Sequence, residues 1–125
     1  MKRPKAFRPR ALPAARPHDG HRGSARERGY TPAWDREARR FRREHPLCQY
    51  CAAGAFGQVR SSSTTRVDHL YPQRRFADVF WVTAWWVASC DSCDAAKQAL
   101  EHKPQPALDQ LARLLGRPVL QAGGV

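Results

Sequence analysis

Four cysteines form the strongest chemical pattern in the sequence. They occur as two CxxC pairs, Cys48 with Cys51 and Cys90 with Cys93, and 38 residues separate the pairs. A CxxC turn directs both thiolates to one point, and two such turns make the closed tetrahedral site typical of structural zinc. The N-terminal stretch lacks the apolar segment of a secretory signal, which disfavours a disulfide framework. We therefore predict structural zinc, with redox dithiols and an iron–sulfur cluster as the alternatives.

A second chemical pair, Asp68 and His69, lies between the two cysteine pairs. The segment from Val67 to Leu70 predicts a short strand, on which neighbouring side chains point to opposite faces. At the end of a strand, both side chains can still serve one centre from two directions. Taken alone, such a pair is more often a surface aspartate beside a half-buried histidine, so the wider sequence has to decide its meaning.

The wider sequence resembles the zinc-knuckle HNH endonucleases encoded by tailed phages and prophages. The resemblance covers residues 22–101, about two thirds of the chain, in the family's order and at its approximate spacing. The matching segments are RGSARERGY (22–30), the helix from Trp34 to Phe41, HPLCQYC (45–51), VDHLYP (67–72), VFW (79–81) and WWVASCDSCDAAKQALE (85–101).

This resemblance implies a fold, a reaction and a role for each motif residue. The fold would be small α+β: a ββα-metal (HNH) finger stapled by the four-cysteine zinc site, with flanking helices. In such a finger two short strands and a helix surround one divalent cation. Asp68 would be a ligand of that cation and His69 the general base that activates water. The reaction would be hydrolysis of a DNA phosphodiester bond.

The sequence departs from the family pattern at motif positions. Trp85 stands where the family has the asparagine that braces the histidine loop, and Asp94 replaces the last histidine, a metal ligand. Gln73 stands where the family often has another histidine. With Asp68 and Asp94 as two hard ligands, we expect Mg²⁺ or Mn²⁺ rather than Ni²⁺ or Zn²⁺ as the catalytic cation. An indole only donates hydrogen bonds, so Trp85 would brace the loop by packing and one N–H bond, or a backbone carbonyl would hold His69.

The elements around these residues follow from periodicity and helix signals. Thr31 and Pro32 predict the start of a helix whose buried face carries Trp34, Ala38 and Phe41. Its other face is rich in arginine. A final helix over residues 106–115 is predicted from its apolar spacing and from the glycine that follows it.

Charge indicates a polyanionic partner. The chain has 22 Lys and Arg against 11 Asp and Glu, which gives a net charge of +11 and a pI of about 10.6. DNA fits this imbalance best, with a solubilising tail or contact with acidic lipid as alternatives. Residues 1–29 predict a disordered basic arm, because prolines interrupt any helix and large apolar residues are few. The arm precedes an HNH-type domain over residues 30–103 and a C-terminal helix and tail over residues 104–125.

Five basic residues are predicted to contact the DNA backbone. Arg39 and Arg43 lie on the first helix, Arg74 and Arg75 on the loop after the Asp68–His69 strand, and Lys97 on the helix after the last cysteine. Each would neutralise a phosphate.

Three functions are compatible with these patterns. The first is a metal-dependent DNA endonuclease of the HNH type. The second is a catalytically impaired zinc-knuckle DNA-binding protein, which would use Trp85 and Trp86 for packing or base stacking. The third is a zinc-stapled adaptor that contacts phage packaging proteins. No apolar run approaches the roughly 20 residues of a membrane span, and we expect a cytoplasmic monomer in a bacterial or phage-infected host cell.

Overall fold

The computed structural model describes residues 28–121. That part of the chain is a small α+β structure with four α-helices and a two-stranded antiparallel sheet. The helices are α1 (Pro32–Glu44), α2 (Gln49–Ala53), α3 (Asp91–Leu100) and α4 (Gln105–Leu114), and the strands are β1 (Arg66–His69) and β2 (Trp86–Ser89). Short 3₁₀ turns at Ala77–Val79 and Thr83–Trp85 precede β2.

Helix α1 begins and ends where its sequence signals place it. The Oγ1 of Thr31 accepts a hydrogen bond from the backbone N of Trp34 at 3.3 Å, and Pro32 fills the first helical position. The helix ends at Glu44, two residues before a proline that cannot continue it. Trp34 and Ala38 are buried and Phe41 is half-buried, so the predicted apolar face is confirmed.

The two strands pair so that the Asp68–His69 dipeptide lies at the centre and end of a short ladder. Asp68 is opposite Val87 and His69 is opposite Trp86. All four residues of β2 are buried, whereas β1 is exposed at its first residue and buried at its last two. Both members of the predicted pair are therefore inside the molecule, although they leave the strand on opposite faces.

Two groups of buried side chains hold these elements together. The first, the cysteine core, contains all four cysteines and apolar residues from β2 and α4 and from the segment after β1. The second contains Trp34 and Ala38 of α1 with Phe80 and Trp86. Helix α4 contributes Leu108 to the cysteine core. The segment from residue 104 onward thus packs onto the same core as the cysteines.

The segment after α4 is bonded to the turn before β2. The guanidinium of Arg117 donates from Nη1 to the backbone oxygens of Ala84 and Trp86, both at 2.7 Å. The backbone N of Leu120 donates to the Tyr71 hydroxyl at 3.1 Å. These contacts carry the end of the described chain back to the sheet.

The predicted basic arm, residues 1–29, lies outside the described residues except for its last two. Between residues 28 and 121, no helix combines the length and the apolar character needed to cross a membrane.

Candidate active site and metal centre

The four cysteines converge on one point. All four are buried, and their Sγ atoms lie within 4.8 Å of one another. The Sγ of Cys51 is 3.7 Å from that of Cys90 and 3.6 Å from that of Cys93. A tetrahedron with metal–sulfur bonds of about 2.3 Å has sulfur–sulfur edges of about 3.8 Å. The predicted union of the two CxxC pairs is confirmed, and the cluster can hold a metal ion such as zinc.

Both cysteine pairs lie at the start of a helix. Cys48 is the N-cap of α2 and Cys90 is the N-cap of α3. The second cysteine of each pair follows in the first turn, and the backbone N of Cys51 donates to Cys48 Sγ at 3.3 Å. The partial positive charge of a helix N-terminus favours a thiolate over a thiol. Helix geometry thus supports the metal-binding form of the cysteines.

Two polar side chains contact the sulfur of Cys51. The Nε of Arg60 donates to it at 3.2 Å, and the Oγ of Ser62 lies 3.1 Å away. Burial would raise the pKa of the Cys51 thiol, but the hydrogen bonds from Ser62 and Arg60 outweigh it and lower that pKa. The pKa of the Cys90 thiol is also lowered, to about 6. Burial opposes this lowering, and a hydrogen bond with Ser62 contributes to it. Burial raises the pKa of the Cys48 and Cys93 thiols, so the metal-binding thiolate form is favoured at Cys51 and Cys90.

His69, the candidate base, is held by a backbone carbonyl. Its Nε2 lies 3.0 Å from the backbone oxygen of Phe80. Because a carbonyl oxygen only accepts, Nε2 carries the proton in this bond, which leaves Nδ1 unprotonated in the neutral ring. Within residues 28–121, Nδ1 has no hydrogen-bond partner. A neutral imidazole in this state can accept a proton from water.

Four aromatic side chains surround the His69 ring and together form the aromatic cluster: Tyr30, Trp34, Phe80 and Trp86. The Trp34 ring is stacked on the imidazole at 4.7 Å and 26°, and the Phe80 ring lies 4.3 Å away. Burial lowers the pKa of His69 below its ordinary value, against a smaller opposing effect of the Asp68 charge. The imidazole is therefore neutral at neutral pH, as a general base must be.

The two oxygens of the Asp68 carboxylate have different environments. Its Oδ2 accepts from the Tyr50 hydroxyl at 2.6 Å and lies 3.0 Å from the Lys97 ammonium. Burial first, and then the Asp68 charge, raise the pKa of Tyr50 well above its ordinary value, so this hydroxyl stays protonated and donates. The Oδ1 atom has no hydrogen-bond partner in the described part of the chain. One oxygen is anchored and the other remains available.

Lys97 is the one predicted DNA-binding residue that the structure corrects. Its side chain has no exposed surface. The ammonium lies 3.0 Å from the Asp68 carboxylate and donates to the Glu101 carboxylate and to the backbone oxygen of His69, both at 2.9 Å. An ammonium with three oxygen partners and no solvent contact cannot reach a phosphate of DNA. Lys97 instead holds the Asp68 carboxylate and the His69 backbone oxygen in place from the protein interior.

Asp94, the candidate second carboxylate ligand, repeats the arrangement of Asp68. Its Oδ2 accepts from Arg66 and from Gln98, both at 3.0 Å. Its Oδ1 has no hydrogen-bond partner among the described residues. The side chain is 16% exposed, so solvent reaches the carboxylate.

One open cavity of about 680 Å³ has Asp68, His69 and Asp94 in its walls. Between residues 28 and 121, the cysteines form the one compact group of three or more potential metal ligands. Three carboxylates outside that group, those of Asp68, Asp94 and Glu101, line the cavity.

The four predicted DNA-binding arginines lie in three different settings. Arg74 lines the cavity, 3.7 Å from the Glu101 carboxylate. Arg75 donates to two backbone oxygens just after α3 at 2.7 and 2.8 Å, so one nitrogen of its guanidinium is bonded to the segment that follows that helix. Arg39 and Arg43 are exposed on α1 and do not line the cavity.

Trp85 and Trp86 pack inside the molecule, and each indole N–H donates to one backbone oxygen. The indole of Trp85 donates to the backbone oxygen of Pro118 at 2.7 Å, away from His69. Trp86 instead donates to the Phe80 oxygen at 2.9 Å, the same carbonyl that holds His69. Of the two roles expected for Trp85 and Trp86, packing fits their exposures of 6% and 3%, whereas base stacking is corrected.

Arg66 is a cavity residue that the sequence motifs did not single out. It is half-exposed, lines the cavity and donates to both Asp94 and Asp91. A signal was present in the sequence: Arg66 lies two residues before Asp68, so on a strand both side chains share a face.

Comparisons with known protein families, curated proteins and solved structures find no match to this chain.

Proposed function

We propose that this chain is a metal-dependent endonuclease of the HNH type that hydrolyses phosphodiester bonds of DNA. The observation that carries the proposal is the state of His69. Its Nε2 is fixed on the Phe80 carbonyl, its Nδ1 has no partner in the described chain, and it shares a cavity with Asp68 and Asp94. The chain order of β1, β2 and α3 also agrees with a ββα-metal finger, and residues of β1 and α3 line the cavity.

In the proposed reaction, His69 acts on water and the carboxylates hold the cation. The Nδ1 of His69 takes a proton from a water molecule, and the resulting hydroxide attacks the phosphorus atom as the P–O bond to the leaving oxygen breaks. Asp68 and Asp94 would hold Mg²⁺ or Mn²⁺ through their free Oδ1 atoms. The cation, when bound, supplies positive charge to the scissile phosphate and to the leaving oxygen.

Arginines in the same cavity support binding of the substrate phosphate. Arg66 and Arg74 both line it. Arg66 is held by two carboxylates, which restrict where its guanidinium can lie. A guanidinium suits phosphate geometry, and the net charge of +11 attracts a polyanion over a longer range. Zinc on the four cysteines would serve a structural role in this proposal and take no part in the reaction.

A second candidate, a zinc-stapled DNA-binding protein without hydrolysis, is favoured by one specific observation. Each carboxylate proposed as a cation ligand is already ion-paired with a basic side chain, Asp68 with Lys97 and Asp94 with Arg66. These pairs reduce the negative charge that would attract a divalent cation.

The experiment that tests the proposal is cleavage of supercoiled plasmid by the zinc-loaded full chain in Mg²⁺, Mn²⁺ or EDTA. We expect nicking or linearisation that requires the cation and that His69→Ala abolishes. His45→Ala is the matched control, because His45 lies at the end of α1 and does not line the cavity.

No cleavage with any cation, together with retention of the plasmid that weakens as salt increases, would support the binding protein instead. Cleavage that His69→Ala and His45→Ala leave equally intact would reject His69 as the base and point to a contaminating nuclease.

A further inference from the structure

Trp81 differs from the other tryptophans of the chain in its exposure. It is 49% exposed, whereas Trp34, Trp85 and Trp86 are between 3% and 6% exposed. Among the large hydrophobic side chains of the described residues, Trp81 is the one aromatic side chain that is exposed. Leaving half of an indole in water forgoes the stabilisation that its burial would provide.

The buried side of the Trp81 ring rests on the aromatic cluster. Its centroid lies 5.6 Å from Phe80, 5.9 Å from Trp86 and 6.0 Å from Trp34. Three rings therefore restrict the indole on one side while the remainder is open to solvent. A restricted ring loses little conformational entropy when a flat partner stacks on it.

The same rings connect Trp81 with the candidate catalytic base. Phe80 lies 4.3 Å from the His69 ring and 5.6 Å from Trp81. The His69 and Trp81 ring centroids are therefore no more than about 10 Å apart, within the length that three stacked nucleotides span at roughly 3.4 Å each. A DNA strand with a phosphate beside His69 can thus place a nearby base on Trp81.

We propose that Trp81 is a stacking site for an unpaired nucleobase of bound DNA. Base–aromatic stacking is insensitive to base identity, and it needs a base that is not already stacked and paired in a duplex. The chain supplies the complementary attraction for the phosphates through its charge of +11 and through exposed arginines such as Arg39 and Arg43 on α1. The position of the base relative to cleavage depends on the proposed nuclease function, but the stacking itself does not.

The test compares two oligonucleotides of equal length that differ only in their bases. One is oligo(dT) of about 15 nucleotides, a length within the range that single-strand-binding domains cover, and the other is its abasic analogue with the same phosphates. Binding to the zinc-loaded full chain is measured by fluorescence anisotropy of the labelled oligonucleotide, and tryptophan quenching is recorded in parallel. Quenching reports mainly on Trp81, because the other three indoles are buried.

We expect Trp81→Ala to weaken oligo(dT) binding by about 10-fold and to remove most of the quenching, since a stacked base contributes about 1–3 kcal/mol. Binding of the abasic oligonucleotide should stay unchanged. Trp81→Phe should restore most of the affinity because it keeps a ring. Leu114→Ala is the matched control, an equally exposed apolar residue on α4 that should alter neither affinity.

Three results would overturn the stacking site. These are unchanged oligo(dT) affinity in Trp81→Ala, equal weakening for both oligonucleotides, and absence of binding to either oligonucleotide at low salt. If Trp81→Ala weakens binding of oligo(dT) but not of the abasic oligonucleotide, and the wild-type chain cleaves no DNA, the stacking site stands and the nuclease function fails.

Discussion

Asp68 and His69 each use one polar atom to hold their position and keep another without a hydrogen-bond partner in the described chain. The Asp68 Oδ2 is bonded to Tyr50 and Lys97, and the His69 Nε2 is bonded to the Phe80 oxygen. The atoms without partners in the described chain are those that the proposed reaction needs. Misplacement of a catalytic group by about 1 Å can cost about 100-fold in rate, so the anchored atoms matter as much as the free ones.

At the scale of single residues, we predict that removing the Lys97 charge strongly destabilises the folded protein. Lys97→Met keeps most of the length of the side chain but leaves the buried Asp68 and the partly buried Glu101 carboxylates without their ammonium. Breaking a buried ion pair in this way typically costs about 3–5 kcal/mol, so we expect a loss of that size in the free energy of unfolding. Urea denaturation of the zinc-loaded protein measures it.

Lys103→Met is the control for that change, because Lys103 is exposed and lies just beyond the end of the same helix. Equal stabilities for the two variants would contradict the ion-pair network described around Lys97.

At the scale of elements, the turn between β1 and β2 determines how His69 is held. The backbone oxygen of Phe80 in this turn accepts from both His69 and Trp86. The turn is itself tied down by the segment after α4, through Arg117 and through the bond from Trp85 to Pro118. Elements distant in sequence therefore fix the carbonyl that orients the base.

We predict that Arg117→Met destabilises the protein by about 1.5–3 kcal/mol, the usual contribution of hydrogen bonds from a charged group. The variant loses donation to the Ala84 and Trp86 oxygens. Thermal unfolding followed by circular dichroism measures the change. Arg113→Met, at an exposed position of α4, should leave the melting temperature nearly unchanged. A melting temperature that is the same in both variants would show that the segment after α4 does not support the turn.

The whole molecule depends on the cysteine core, because it joins elements that are distant in the sequence. All four cysteines belong to it, together with residues of β2 and of α4. The chain is small, and domains of this size bury a limited fraction of their surface. A metal that clamps the two helix N-termini together would therefore contribute much of the folding free energy.

We predict one zinc ion per chain and loss of cooperative folding when it is removed. Zinc content is measured by elemental analysis, and folding by circular dichroism before and after treatment with a strong chelator. Adding zinc back under reducing conditions should restore the spectrum. A chelated protein that still unfolds cooperatively at the original temperature would show that the cysteine cluster is not the clamp.

Local sequence signals account for the parts of the structure that depend on near neighbours. Thr31 and Pro32 start α1, Trp34 and Ala38 form its buried face, and each CxxC pair caps a helix. Capping, helical periodicity and the CxxC turn act over three or four residues, so they can be read directly from the sequence. The convergence of the cysteine pairs was predictable as well, because one metal ion needs four ligands.

Only the tertiary structure decided the environment of the candidate base and its neighbours. The sequence alone predicted Lys97 as a surface contact, yet Lys97 lies under Asp68, and it did not identify Pro118 as the partner of Trp85. The sequence allowed for a backbone carbonyl that holds His69, but only the structure identifies it as that of Phe80, because a backbone carbonyl leaves no trace in residue type. These contacts span 11 to 33 residues. Whether a long polar side chain is buried or exposed depends on partners brought together by packing, and spacing along the chain does not encode them.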